Sequence, residues 1–411
     1  MGLRVTVISA RRASQWGAAL VLSCAASGSL QAAVAHFGYS TALRALYTTD
    51  VFRNGEGGPG DYVTGLRLNA FWSEQSPRSE TRLSYSPEYY TYADFQDLNH
   101  LDQRLSATWR FRPNRRSAVA LRQGFYLSTR QSSFRESEDE DAQPVVRRSE
   151  RRDLDFEPSV TMDLGRLWRM ETRGRYRSQT FDRPDLVDST QAGLEVSTTT
   201  RVGRESRIGG RVRGDVFDFD QGGATTGAPG RRQLVAAEAV WTSDGSGLFA
   251  WSLGAGGFRD RGEGFRVGPK PTLQASCAWG LRAGRFLVAY DLGYSTYGGY
   301  GGISRSQTGE IGFVRRWRRA WEMSARGVRI SRESLDGVTV QQGSIRGYQF
   351  DAGLSYRWTS GVGLLFQQRL IRQAGSIGTD LDYQEVSIAF TFVPRETPGF
   401  SRSARIGRSE T

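Results

Sequence analysis

Strict alternation of apolar and polar side chains is the feature that most limits what this chain can fold into. In the stretch 105–112, LSATWRFR, Leu105, Ala107, Trp109 and Phe111 fall on one side, while Ser106, Thr108, Arg110 and Arg112 fall on the other. Successive strand side chains face opposite ways, so this segment belongs to a sheet with one apolar and one strongly basic face. A tyrosine-rich strand, Tyr85 to Tyr92, and a polar link, ADFQDLNH, precede it. A tight turn, PNRRS, and another strand, Ala118 to Thr129, follow. The unit is strand, long loop, strand, short turn.

That unit recurs along the whole chain. From Phe37 onward the alternation predicts eighteen strands, near 37–49, 62–73, 81–92, 101–112, 117–129, 153–163, 168–179, 188–200, 205–217, 232–243, 247–258, 270–280, 284–297, 305–316, 320–331, 346–358, 361–372 and 381–393. Each is long enough for a tilted crossing of about 9–11 residues. Long connections (DVFRNGEGGPGD, 130–152, FDRPDLVD, QGGATTGAPGRR, 259–269, 332–345) alternate with short ones (PNRRS, VGRES, SDGSG, RAGR, TSGVG and turns at Gly165 and Arg318). The expected fold is all-β: a transmembrane, antiparallel, up-and-down barrel of about eighteen strands with both termini periplasmic and long loops outside. Closing the last strand on the first removes edges that hydrocarbon cannot satisfy.

Composition fits a barrel better than the alternatives. The chain has 411 residues, 38% hydrophobic, with 49 glycines and 11% aromatics. Its mean hydropathy of −0.49 excludes a helical membrane bundle, but suits a barrel in which only alternate residues meet lipid. The formal charge is +12 and Lys270 is the sole lysine; arginines spread along strands give no basic patch for nucleic acid. With two cysteines (Cys24, Cys277) and two histidines (His36 near the mature end, His100 in a loop) there is no disulfide framework, metal pattern or catalytic set. Cys277 reads as a small lipid-facing residue. No cofactor and no enzymatic activity are expected.

Residues 1–35 read as a secretory signal, with Arg4, Arg11 and Arg12 ahead of an apolar run and an A-x-A site at Ala33-Val34-Ala35, predicting cleavage near Ala35. A lipoprotein signal ending at Cys24 fits less well, because Leu22 stands where such signals favour smaller residues. Residues 36–393 form the expected barrel, and 394–411 a basic periplasmic tail. Nine tryptophans (Trp72, Trp109, Trp168, Trp241, Trp251, Trp279, Trp317, Trp321 and Trp358) lie near short turns. Tyr89, Tyr90, Tyr92, Phe217, Phe219, Tyr294 and Tyr297 crowd the opposite strand ends. Two belts suit the two faces of a bilayer.

Alternation turns many arginines inward: Arg67, Arg82, Arg104, Arg110, Arg112, Arg122, Arg169, Arg173, Arg175, Arg177, Arg207, Arg211, Arg213, Arg326 and Arg369. Guanidinium binds carboxylate and phosphate through paired donors, so Arg67, Arg82, Arg104, Arg110, Arg112, Arg122, Arg173, Arg175, Arg207, Arg211, Arg213 and Arg326 are the candidate anion- or polysaccharide-binding residues of the lumen. Glu88, Glu171, Asp215, Glu238, Glu310 and Asp351 also face in, and Arg–acid ladders can simply brace a wall. The arginine surplus on the fourth, fifth, seventh and ninth strands favours a net basic conduit. The acidic run Glu136 to Asp141 reads as a solvated loop face.

The stretch holding Tyr85-Ser86-Pro87-Glu88-Tyr89, Asn99-His100 and Pro113-Asn114-Arg115-Arg116 resembles the outer-membrane barrels of the β-barrel porin 2 type, associated with exopolysaccharide export loci. The resemblance covers this one region. It implies a Gram-negative outer-membrane channel passing a secreted, acidic exopolysaccharide, with lipid and lipopolysaccharide around it and a periplasmic export partner below it. An anion-preferring general porin for small solutes, narrowed by the loop 130–152, and a closed structural barrel are the competing expectations.

Overall fold

In a computed structural model the chain closes into one antiparallel barrel of eighteen strands. The structure describes residues 34–51, 58–129, 149–183, 186–203, 205–220, 230–243, 248–260, 268–296, 302–318, 320–335, 344–358, 361–375 and 381–393. Residues 1–33 of the expected leader, the acidic run Glu136 to Asp141, residues 130–148 of the candidate constriction 130–152, Tyr297 and the tail 394–411 lie outside the described residues, whereas Val34 and Ala35, at the expected cleavage site, open the first strand.

The strands are β1 Val34–Thr48, β2 Asp61–Gln75, β3 Ser79–Tyr92, β4 His100–Asn114, β5 Ser117–Ser128, β6 Arg151–Leu164, β7 Trp168–Phe181, β8 Asp188–Val202 and β9 Ser206–Asp220. They continue as β10 Arg231–Ser243, β11 Phe249–Asp260, β12 Lys270–Leu281, β13 Gly284–Thr296, β14 Ile303–Trp317, β15 Trp321–Ser334, β16 Ile345–Arg357, β17 Val362–Gly375 and β18 Leu381–Phe392. Every expected strand is present. His100, expected in a loop, is instead the first residue of β4, stacked on Tyr90 at 5.0 Å.

Each strand pairs with its sequence neighbours, and β18 closes on β1 from Thr41↔Phe392 to Thr48↔Glu385. Thr49 extends that seam, its amide donating to the Gln384 carbonyl at 3.1 Å while its hydroxyl accepts from the Gln384 amide at 3.0 Å. Full closure leaves no long edge for hydrocarbon to strand. Two prolines interrupt the ladder locally: the β2–β3 register skips the positions opposite Pro87, and the β6–β7 register skips Pro158. Proline has no N–H to give.

The short turns carry the backbone signature of tight reversal. Gly165, Gly203 and Gly361 have φ of 87°, 78° and 84°, values that L side chains rarely adopt. At Gly361 a Cβ would sit 2.1 Å from the Val393 carbonyl oxygen, and the Gly361 carbonyl accepts the Val393 amide at 2.8 Å. Gly361→Val is therefore expected to loosen the β16–β17 turn from the end of β18. The cost should be about 1–3 kcal/mol, read as a lower urea midpoint for unfolding from lipid vesicles.

The exterior is apolar. Leu43 (β1), Leu66 (β2), Leu105 (β4), Leu194 (β8), Val212 (β9), Ile311 (β14), Phe350 (β16) and Phe390 (β18) are all exposed on the outer face. On a soluble protein such exposure would be an aggregation hazard; around a closed barrel it is a lipid-facing band. Cys277 pairs with Trp251 and Val288 on that same face. By register and alternation all nine barrel tryptophans point outward at the short-turn end, and Trp241 and Trp251 meet edge to face at 4.7 Å.

The second expected belt is only partly there. Tyr89 and Tyr348 point outward at the long-connection end, joined by the adjacent pair Tyr47 and Tyr62, 5.0 Å apart. Tyr90, Tyr92, Phe217 and Phe219 instead turn inward and are buried. Alternation accounts for this directly: Tyr90 and Tyr92 share the face of Glu88, and Phe217 and Phe219 share that of Asp215.

Candidate functional site: the inner wall of the barrel

At mid-height the inner face is a ladder of arginines and carboxylates. Arg67 of β2 donates through Nε to Glu88 of β3 at 2.7 Å, and Arg44 of β1 approaches the same carboxylate at 3.8 Å. On β7, Arg177 and Arg175 donate to Asp155 and Glu157 of β6 at 2.5 and 3.1 Å. Lower on the same pair Arg169 meets Asp163 at 3.0 Å, and Arg173 meets Glu171 within β7 at 2.8 Å. Arg211 of β9 donates to Glu238 of β10 at 3.0 Å and to Gln274 of β12 at 2.9 Å. Across the barrel, Arg326 binds Glu310 at 2.9 Å and Arg369 binds Asp351 at 2.6 Å.

The alternation thus placed each named arginine correctly, but most of them face a carboxylate rather than open lumen. Arg67, Arg173, Arg175, Arg211, Arg213 and Arg326 are all ion-paired. Arg104 stacks over Tyr126 at 4.8 Å, and Arg110, Arg122 and Arg207 are likewise engaged by neighbours. Arg82 lies over Phe71 at 5.7 Å with no carboxylate partner among the described residues. Arg112 is exposed at the foot of β4, beside the turn.

The carboxylates missed in the sequence sit mainly on β6. Asp153, Asp155, Glu157 and Asp163 all fall on the face of the barrel that β7 turns its arginines to. Their alternating spacing in RRDLDFEPSVTMDL was signal enough to find them. They neutralise the surplus on β7 that favoured a net basic conduit.

Above this ladder, toward the long connections, the inner face changes character. Asp215 is buried and accepts from Gln191 at 2.8 Å, from Tyr294 at 2.6 Å and from Arg213 at 2.6 Å. Asp153 is buried with Arg151 and Gln179. Asp102 accepts from the Ser128 hydroxyl and the Thr129 amide at 3.2 and 2.9 Å. Arg232 and Asp260 form an ion pair in which both side chains are 0% exposed.

Three apolar clusters share this level. One joins Phe217, Phe219, Leu234, Ala236 and Phe258 to Val187 and Ile303, with Tyr294 and Leu335 packed against it. A second holds Leu46, Val51, Val63, Tyr90 and Tyr92 with Phe95 and Leu98 against them, and a third Val328, Ile330, Ile371, Leu381 and Tyr383. Inward side chains of a water-filled barrel would be wet; these are dry. The wall therefore has two tiers, paired charge at mid-height and packed protein toward the long connections.

A closed barrel with a lipid-facing exterior and a polar mid-wall is built for an outer membrane, since strands cross a bilayer only when every backbone group is paired. No family model matches the chain, and no curated protein matches it. Among solved structures it is similar to OccK1 (OpdK) of Pseudomonas aeruginosa, at 12% identity over 87% of this chain and 98% of that one, with a TM-score of 0.42. OccK3 (OpdO) of the same organism matches at 12% identity, 87% and 95% coverage and a TM-score of 0.45. A BenF-like porin of Pseudomonas fluorescens Pf-5 matches at 10% identity, 87% and 98% coverage and 0.43. At this distance the likeness is one of chain path.

Proposed function

We propose that this protein is an outer-membrane channel for small solutes, not a conduit for polymer. The observation that carries the reading is the two-tier wall: arginines held by carboxylates at mid-height, and dry inward clusters above them on three arcs of the barrel. Eighteen strands enclose a space wide enough for an aqueous channel. A polysaccharide needs that width along its whole path, whereas a small solute needs only a gap. Paired guanidinium groups keep their donors occupied by protein, so they offer an entering acidic polymer little of the surplus charge it would need.

The test is conductance of the purified protein in a planar bilayer under a salt gradient, followed by addition of polyuronate. The expected result is a steady conductance with a weak preference between anion and cation, and no voltage-dependent block by the polymer. Strong anion selectivity with polymer block would favour the exopolysaccharide channel that the Tyr85 to Arg116 stretch suggests, with a periplasmic export partner. Absence of conductance would favour a closed structural barrel.

A further inference from the structure

We propose that the short-turn rim of the barrel binds anionic phospholipid headgroups. Five short connections present an exposed arginine, Arg78, Arg115 with Arg116, Arg166, Arg282 and Arg318, and Arg201 and Arg357 are exposed at the strand ends beside two others. Of these, Arg78, Arg115, Arg166, Arg282, Arg318 and Arg357 have no carboxylate partner among the described residues. The rim is not free of acid: Arg169 is held by Asp163, Arg316 by Glu322, and Glu80 and Glu205 are exposed there. Basic groups nevertheless outnumber them around most of the circumference.

The opposite end is mixed. Asp50, Asp61, Asp102, Asp153, Asp188, Asp220, Asp260 and Asp382 lie at the long-connection ends of their strands together with Arg151, Arg152, Arg231, Arg232, Arg259, Lys270, Arg332, Arg346 and Arg372, and Asp153, Asp260 and Asp382 are ion-paired there. The unpaired basic excess therefore belongs to the short-turn rim.

Depth and distribution select the partner. The turn arginines stand beside outward tryptophans, as in Arg166 and Trp168, and Trp317 and Arg318. Arg315 lies over the Trp317 ring at 5.3 Å. Tryptophan rings settle at the boundary between hydrocarbon and headgroups, so a guanidinium one or two residues further on stands at the level of lipid phosphate. Guanidinium is a planar fork of donors matched to phosphate oxygens. A protein partner would need one basic arc; these residues instead circle the barrel, as lipid does.

The tryptophans supply the readout, since all nine in the barrel report on this end alone. Protein purified from membranes is reconstituted in phosphatidylcholine bilayers holding a minority of phosphatidylglycerol, with quenching bromines on the acyl chains of one lipid or the other. Quenching by brominated phosphatidylglycerol should exceed its share of the bilayer by about two- to fivefold. The excess should fall toward parity in 1 M salt, and in the variant Arg115→Gln/Arg166→Gln/Arg282→Gln/Arg318→Gln. Retained heat-dependent gel mobility verifies that the variant is folded. Quenching in proportion to bulk composition in the unmodified protein would overturn the proposal, and would leave an acidic protein as the remaining fit to the rim. An excess that survives in the folded variant would equally overturn its assignment to these turns.

Discussion

Replacing Asp260 with alanine is expected to destabilise the barrel by about 3–5 kcal/mol. Asp260 ends β11 and Arg232 stands near the start of β10, with both side chains fully enclosed. The alanine variant would take the Asp260 carboxylate from a guanidinium that is itself fully enclosed, beside Leu234, Phe258 and their neighbours. Water cannot enter to compensate without opening that cluster, so the penalty is that of a broken buried ion pair, larger than that of one lost hydrogen bond. The double variant Arg232→Met/Asp260→Leu removes both charges and retains apolar volume, so it should recover most of the loss. Equilibrium urea unfolding from lipid vesicles, followed by tryptophan emission, measures both. A single-variant cost under about 1 kcal/mol, the range of a solvated pair, would mean that this tier of the lumen is wet and the two-tier wall is wrong.

The architecture was legible because a barrel writes itself into sequence at period two. The set Val386, Ile388, Phe390 and Phe392 faces out on β18, and Tyr348, Phe350, Ala352, Leu354, Tyr356 and Trp358 do so on β16, as alternation alone requires. The tryptophan belt followed from the same rule together with the turn positions. What alternation cannot report is height along the barrel axis and what lies across the lumen. Phe217 and Phe219 read as interfacial aromatics because they sit at a strand end, yet their face turns them into the barrel, where Phe217 meets Tyr294 edge to face at 6.5 Å. That contact joins β9 to β13, and no local pattern announces it.

The charge pairs had the same fate for a different reason. Arg175 and Arg177 are visible as inward residues of β7 from their own strand, but their partners Glu157 and Asp155 lie across the β6–β7 register. Counting arginine strand by strand produced an apparent surplus on β7; counting across the β6–β7 ladder removes it there. Sequence gave the sign of each wall residue and left the field inside the barrel to the pairing.

That field can be changed without touching an arginine. In Asp155→Asn/Glu157→Gln the side chains keep their shape, and two negative charges beside Arg175 and Arg177 are removed from the wall. All four side chains are partly accessible, from 14% for Arg177 to 26% for Asp155, so the two released charges act on ions through water. A unit charge about 7 Å from a permeating ion is worth roughly 0.6 kcal/mol in water, and salt at 0.1 M trims it further. Two such charges should raise the anion-to-cation permeability ratio by about two- to fivefold, read as a reversal potential moving toward the chloride equilibrium value. Arg175→Gln/Arg177→Gln should move it the other way by a similar factor. In both variants the shift should shrink as salt is raised from about 0.1 M to about 1 M, because the Debye length falls from about 10 Å to about 3 Å. A reversal potential unchanged in both variants would place the β6–β7 wall outside the permeation path, and would confine the aqueous route to the arc that carries Glu310, Arg326, Asp351 and Arg369.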